Sequence, residues 1–385
     1  MRPQRPAKRQ RRDPPQGATE ESPVSHHLIY TNPSYAAILQ PPRGRFSIRT
    51  ILLTLPAAVA GFAIAYYLSS PNVPGLNILR GSDPFVVADL PGKGKGLVAI
   101  RDIQQGELVI QESPLFIVPK SISESPSALI SRLLQNVSSA DRDAFLNLSY
   151  VHFPEGLDPA THPEEVALAI FQTNAVAAGD GVGIFPRMAR LNHGCSSAFN
   201  VVYTWRQREQ ALFVHALKNI RKGQELLTTY TDTKRTRKER RSFLEQQYGF
   251  RCTCAVCSLD AAASKASDKR LTAISHYYAH LATWGSNAIS GAEAISTINK
   301  IWKLEDEEGY WSERGRLAAD GAWIAASHSD AVAARLWAQL AVKWYTYELG
   351  AESEFVPEAR TTAEHPEAHP AWGSGAAMPV GRPLD

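Results

Sequence analysis

Cys252-Thr-Cys254-Ala-Val-Cys257 places three thiols within six residues. A tetrahedral structural zinc site takes four protein ligands, so the triplet cannot complete one alone. The chain has 4 cysteines in all, and the remaining one is Cys195. The inventory therefore closes on a single four-thiolate site: Cys195, Cys252, Cys254 and Cys257. Such a site would staple the loop after Asn192 to the segment that follows residue 247. His193 is a competing ligand, but Cys195 makes the more coherent set. The alternative, free cysteines buried as small hydrophobes, sits poorly beside Arg251 and Thr253. A disulfide-dense secreted scaffold is excluded by the same count.

Working outward from the cysteines, residues 237–247 read as a helix. Thr236, with Glu239 three residues on, forms the sequence of a capping box. Upstream, β-branched or apolar runs at 85–88, 96–100, 107–110, 116–118, 201–205 and 212–216 are separated by turn residues and read as short strands. Residues 127–178 read as helical, most clearly 163–178, where Pro163 suits a first helical turn and Glu164 and Glu165 favour its positive end. Beyond Cys257 the composition turns alanine-rich. Ile274, Tyr277, Tyr278 and Leu281 share one helical stripe; Val332, Leu336, Trp337, Leu340, Trp344 and Tyr345 share another. Both stripes read as core of stacked helix pairs over 268–350, with no strict repeat.

The termini differ in character. The net charge of +3 conceals an asymmetry: residues 1–49 carry 9 basic and 3 acidic side chains, the rest 32 and 35. A uniformly basic nucleic-acid-binding body is not supported, and no direct nucleic-acid binding is expected. Residues 1–49 read as a disordered basic arm and 351–385 as a disordered tail. Residues 50–68 carry no charge and are long enough, at about 1.5 Å per residue, to cross a bilayer core of roughly 30 Å. They are expected to form a transmembrane helix, making the chain a single-pass membrane protein, with nucleus or cytoplasm as the alternative. Arg43, Arg45 and Arg49 would keep the N-terminus cytosolic. Four unpaired thiols on the far side would argue for a reducing compartment instead.

Four signals then fall into one order. They are Gly92-Lys93-Gly94-Lys95-Gly96, Asn192-His193-Gly-Cys195, Gly223-Gln-Glu225-Leu-Leu-Thr-Thr-Tyr230, and the cysteine triplet. Together they resemble a SET domain with its post-SET zinc segment, of the kind found in fungal SET proteins related to the SET-and-MYND lysine methyltransferases. The resemblance implies an α+β chain: a β-rich SET fold over 83–235 with a knot-like active site, a post-SET helix and zinc segment over 236–260, and a helical repeat-like C-terminal region. No MYND module is expected, because residues 112–165 contain no cysteine.

The resemblance also implies a function, an S-adenosylmethionine-dependent protein-lysine N-methyltransferase acting on a histone or non-histone protein, as a monomer. Lys93, Gly94, Lys95, Asn174, Asn192, His193 and Phe250 would hold the cofactor, and Tyr230 would be the catalytic residue. Departures are visible. Cys195 is followed by Ser-Ser-Ala-Phe-Asn200 where the family often has a proline and an earlier asparagine, and Gln224 replaces a frequent acid. These leave open a catalytically inactive SET scaffold that binds a partner protein through its helical domain. The basic stretch Lys234, Arg235, Arg237, Lys238, Arg240 and Arg241 reads either as an attractor for an acidic surface or as a solvated helix face.

Overall fold

The computed structural model describes residues 83–384. Three small sheets form the first half. Strands β1 (Phe85–Leu90) and β2 (Gly94–Ala99) make a hairpin whose turn needs Gly92 at φ +71°. Strand β2 also pairs with β10 (Glu225–Thr228), and β10 pairs in parallel with β7 (Asn192–His193), giving the order β1-β2-β10-β7. The parallel register sets Leu227 beside Asn192 and Thr228 beside His193, so two distant segments lie side by side.

A second sheet joins β3 (Leu108–Glu112), β9 (Ala211–Ala216) and β8 (Val201–Arg206). The third holds β4 (Ile117–Pro119), β6 (Gly181–Gly183) and β5 (Val176–Ala178). Between β4 and β5 run helices α1 (Pro126–Gln135), α2 (Ser139–Leu146) and α3 (Pro163–Asn174), closed over a core of Phe116, Ile130, Phe145, Ile170 and Phe171. The helix expected to 178 ends at Asn174. Residues 176–178 instead pair with β6 across a tight turn at Gly179-Asp180, whose glycine has φ +63°.

Helix α4 (Arg237–Tyr248) begins at Thr236 with both capping-box hydrogen bonds formed and ends at Gly249 in the left-handed region. Five helices follow: α5 (Ala261–Ala282), α6 (Gly291–Glu308), α7 (Arg314–Ser327), α8 (Ala331–Leu349) and α9 (Phe355–Glu364). They bury one apolar core that includes Ile274, Ile298, Leu317 and Trp337. Small residues let α7 and α8 approach. A Cβ on Gly321 would lie 2.6 Å from Trp337 Cδ2, and one on Gly315 would lie 2.5 Å from Tyr345 Cδ1. Helix α8 also packs on β8 and β9, and for that reason β9 is buried on both faces rather than alternating.

Several expectations need correction. Residues 351–384 do not form the disordered tail expected over 351–385: they include α9, and Val380 joins the helical core. Val332 lies outside the buried stripe of α8, which is carried by Ala333, Ala334, Trp337, Ala338 and Ala341. The expected single-pass membrane helix is also withdrawn. Among the described residues no helix is long and apolar enough to cross a membrane, and residues 50–68, like the arm at 1–49, lie outside them.

Candidate active site and metal centre

The glycine hairpin, β7, the end of β10 and the end of α3 converge on a cavity of about 450 Å³. Lys93, Lys95, Asn174, Asn192, His193, Tyr230 and Phe250 all line it. Gly94 does not line it; its φ of +72° shapes the hairpin instead. Gly96 explains how Asn192 comes so near, since a Cβ there would stand 2.7 Å from Asn192 Nδ2.

Glu225 organises this wall, a role the sequence did not reveal. Its Oε2 accepts from Lys93 Nζ at 2.5 Å and its Oε1 accepts from Asn192 Nδ2 at 2.9 Å. Asn174 is anchored by its own amide, which donates to the carbonyls of Ser149 (2.7 Å) and Ile170 (2.8 Å).

His193 is almost fully buried and its tautomer follows from its neighbours. The Tyr230 backbone N–H donates to Nδ1 at 3.0 Å, so the proton sits on Nε2, which lies 3.1 Å from Cys195 Sγ. Burial lowers its pKa to about 4, and the ring is neutral at physiological pH.

Tyr230 donates its hydroxyl to Leu191 O at 2.7 Å and has its pKa raised by burial. Its ring is 4.9 Å from that of Tyr248 and 5.4 Å from that of His193, and Phe250 stands edge-on at 6.5 Å. Tyr203 of β8 completes the aromatic lining. Its phenol is pushed up by burial, and among the described residues it has no hydrogen-bond partner. Nothing in the sequence singles it out, because it reads as one more residue of an alternating strand.

No carboxylate lines this cavity among the described residues, whereas Lys93, Lys95, Arg190 and Arg251 do. Lys93 is paired with Glu225 and Lys95 with Asp89.

The departures after Cys195 have physical counterparts. Asn200, displaced in sequence, still bridges to β10. It accepts from Leu227 N at 2.8 Å and donates to Glu225 O at 2.9 Å. Ser196, in the left-handed region at φ +45°, donates to Glu308 Oε1 of α6 at 2.8 Å. Glu308 also holds Ser267 (2.6 Å) and Arg270 (2.9 Å) of α5. Gln224 closes its own turn by accepting from Arg221 N at 2.8 Å.

The four cysteines meet as the sequence reading required. Their sulfurs all lie within 4.8 Å of one another, with Cys195 Sγ 3.6 Å from Cys257 Sγ and 4.0 Å from Cys252 Sγ. A tetrahedral zinc with Zn–S bonds of about 2.3 Å needs sulfurs roughly 3.8 Å apart, so the set fits that ion. His193 stays outside the set, its Nδ1 taken by Tyr230 N.

The basic stretch is mostly spent on structure. Lys234, largely buried, bonds both oxygens of Glu313 at 2.9 and 3.2 Å and faces the rings of Tyr278 and Tyr310. Arg240 reaches Arg235 O and Asp268, while Arg241 holds the carbonyls of Cys252 (3.0 Å) and Cys257 (2.8 Å).

The family model for the SET domain matches residues 94–231, the span that builds this cavity. Residues 94–231 are a SET domain. Over 299 residues the chain is 27% identical to "Histone-lysine N-methyltransferase set5" of Schizosaccharomyces pombe, covering 77% of this chain and 88% of that protein. Over 77 residues it is 38% identical to "Histone-lysine N-methyltransferase SMYD3" of Mus musculus, covering 20% of this chain and 17% of that protein. The chain therefore spans most of the fission-yeast relative and under a fifth of the mouse one. A solved structure of Rubisco LSMT bound to AdoMet covers 81% of this chain at 12% identity and a TM-score of 0.32, a likeness too slight to add to the assignment. Outside the SET domain lie α4, the cysteine triplet and the helices that dock against it.

Proposed function

We propose that this chain is an S-adenosylmethionine-dependent protein-lysine N-methyltransferase with Tyr230 as its catalytic residue. The observation that carries the reading is one cavity, within the SET domain, lined together by the glycine-hairpin lysines, Asn192, His193, Tyr230 and Phe250. The names of the relatives agree with it.

When bound, the cofactor supplies an electrophilic methyl on a sulfonium. The chain's own residues then align and desolvate. Lys93 and Lys95 offer donors for a carboxylate, with Glu225 holding Lys93 in place, while Asn192, its two amide N–H groups taken by Glu225 and Lys95 O, turns its carbonyl oxygen to an ammonium. Phe250, Tyr248 and Tyr230 give an apolar aromatic wall that favours a neutral amine over an ammonium. With its proton committed to Leu191 O, the Tyr230 oxygen keeps lone pairs for an incoming N–H or a polarised methyl. Because no carboxylate lines the cavity, the reading assigns the amine's deprotonation to desolvation rather than to a built-in acid–base pair.

The test is methyl incorporation from labelled cofactor into a protein array, comparing wild type with Tyr230→Phe. Losing the hydroxyl oxygen as an acceptor should lower turnover by ~10²-fold or more, the scale of one preorganised transition-state hydrogen bond, with cofactor affinity nearly intact. Equal activity would remove Tyr230 from its role. Bound cofactor without methylation of any protein lysine would favour the inactive scaffold.

A further inference from the structure

Helix α4 carries arginines at 237, 240 and 241, a spacing that stacks three guanidinium groups on one helix face. That face meets the cysteine cluster at Cys252 and Cys257. Arg237 donates to Leu259 O at 2.8 Å and to Cys257 O at 3.4 Å. Arg241 holds the carbonyls of Cys252 and Cys257. Arg240 is 1% exposed, and its Nε has no hydrogen-bond partner among the described residues. The only carboxylate paired with Arg240 among the described residues is Asp268, at 3.4 Å. The guanidinium of Arg240 faces Cys195, Cys257 and Asp268.

Zinc held by four thiolates carries a net charge of about −2, and a buried charge of that size is costly without counter-charge nearby. From this arrangement we infer that Arg237, Arg240 and Arg241 are the counter-charge of the metal centre. Arg240 acts from within the protein, and Arg237 and Arg241 act at the rim, where they also fix the carbonyls of two ligand residues. These are positioning residues, and the inference rests on the zinc reading of the cysteine cluster. It accounts for three of the six basic side chains of that stretch without an acidic partner protein, and Asp268 links Arg240 to α5.

The test uses the full chain. Metal analysis first establishes about one zinc per wild-type chain. Zinc transfer to an excess of a chelating dye, 4-(2-pyridylazo)resorcinol, is then timed for wild type, Arg240→Met, Arg240→Lys, Arg241→Gln and Lys238→Gln. Removing an outer-shell partner typically costs about 10- to 100-fold in metal affinity, so R240M should release zinc faster by about that factor. R240K, which keeps the charge, should recover most of the loss. R241Q should fall between, and K238Q, on another face, should match wild type. Wild-type release rates in both R240M and R241Q would overturn the inference. Equal acceleration in R240K and R240M would also overturn it, since lost packing rather than lost charge would then be the cause. If R240M fails to fold by circular dichroism, R241Q and R240K decide alone: a wild-type rate in R241Q refutes it. A wild-type chain without zinc would refute the metal reading itself, and the inference with it.

Discussion

Lys234→Met should destabilise the protein more than most single substitutions, and the magnitude follows from its surroundings. The lysine side chain is only 10% exposed between the SET domain and the helical region, its ammonium 2.9 Å from Glu313 Oε1 and 3.6 Å from Asp232 Oδ1. Tyr278 and Tyr310 present their rings at 5.6 and 5.4 Å. Burial opposes the charge, but Glu313, Tyr310 and Asp232 outweigh it, and the pKa is raised well above the ordinary lysine value. Methionine fills similar space while taking the cation away from the buried Glu313 carboxylate, which keeps neutral help such as the Tyr310 hydroxyl at 3.1 Å. Breaking a buried pair from one side costs about 3–5 kcal/mol. For a cooperative unit of this size each kcal/mol moves the melting midpoint by about 2 °C, so the expected drop is about 6–10 °C. Scanning calorimetry reads it directly. The pair Lys234→Met/Glu313→Gln should recover part of the loss, because the uncompensated charge is gone. A single variant melting within about 1 °C of wild type, or a double variant showing full additivity, would refute the argument that charge pairing rather than packing matters here.

Two further outcomes are expected. Tyr203→Phe removes a phenol that has no hydrogen-bond partner among the described residues. The melting temperature should hold or rise, by the equivalent of about 1 kcal/mol, while the KM for a protein substrate increases; a clear loss of stability would contradict this. His215 is buried, with no partner at Nδ1 among the described residues, and burial, then Arg206, lowers its pKa from 6.5 to about 4. Between those values the unfolded chain binds more protons than the folded one. Stability should therefore fall by up to about 3 kcal/mol as pH drops from about 6.5 to 4, and His215→Asn should flatten that slope in pH-dependent denaturant titrations.

What could be read from the sequence divides along physical lines. Cysteine chemistry is local and countable, so Cys195 could be matched with the triplet across a long gap. Strands of the SET region were legible wherever β-branched runs ended in glycine turns, and the Thr236–Glu239 cap was legible because it is a pairwise motif. Asn192, His193 and Tyr230 were found by resemblance, and the structure brings them to one cavity. Glu225 and Tyr203 were missed because their importance lies in what crosses from other strands. The tail at 351–385 was misread because composition reports an average. Val380 and α9 are ordered by the core they complete, and only the folded helices supply that core. Helix 163–178 was overextended because Val176 and Ala177 continue an apolar run whose partner strand β6 lies beyond it.

The hydroxyl of Ser196 donating to Glu308 bears on how this chain can be divided. A ligand residue's immediate neighbour in the SET half shares a buried carboxylate with two side chains of α5. A fragment stopping at Asp260 would leave that serine without its acceptor, and a helical fragment alone would keep Ser267 and Arg270 on the acid but lose the third donor. Exchanging the helical region for that of a relative would succeed only if the graft brings a carboxylate to the same point. The boundary that sequence draws after the last cysteine is thus a boundary of motifs and not of modules.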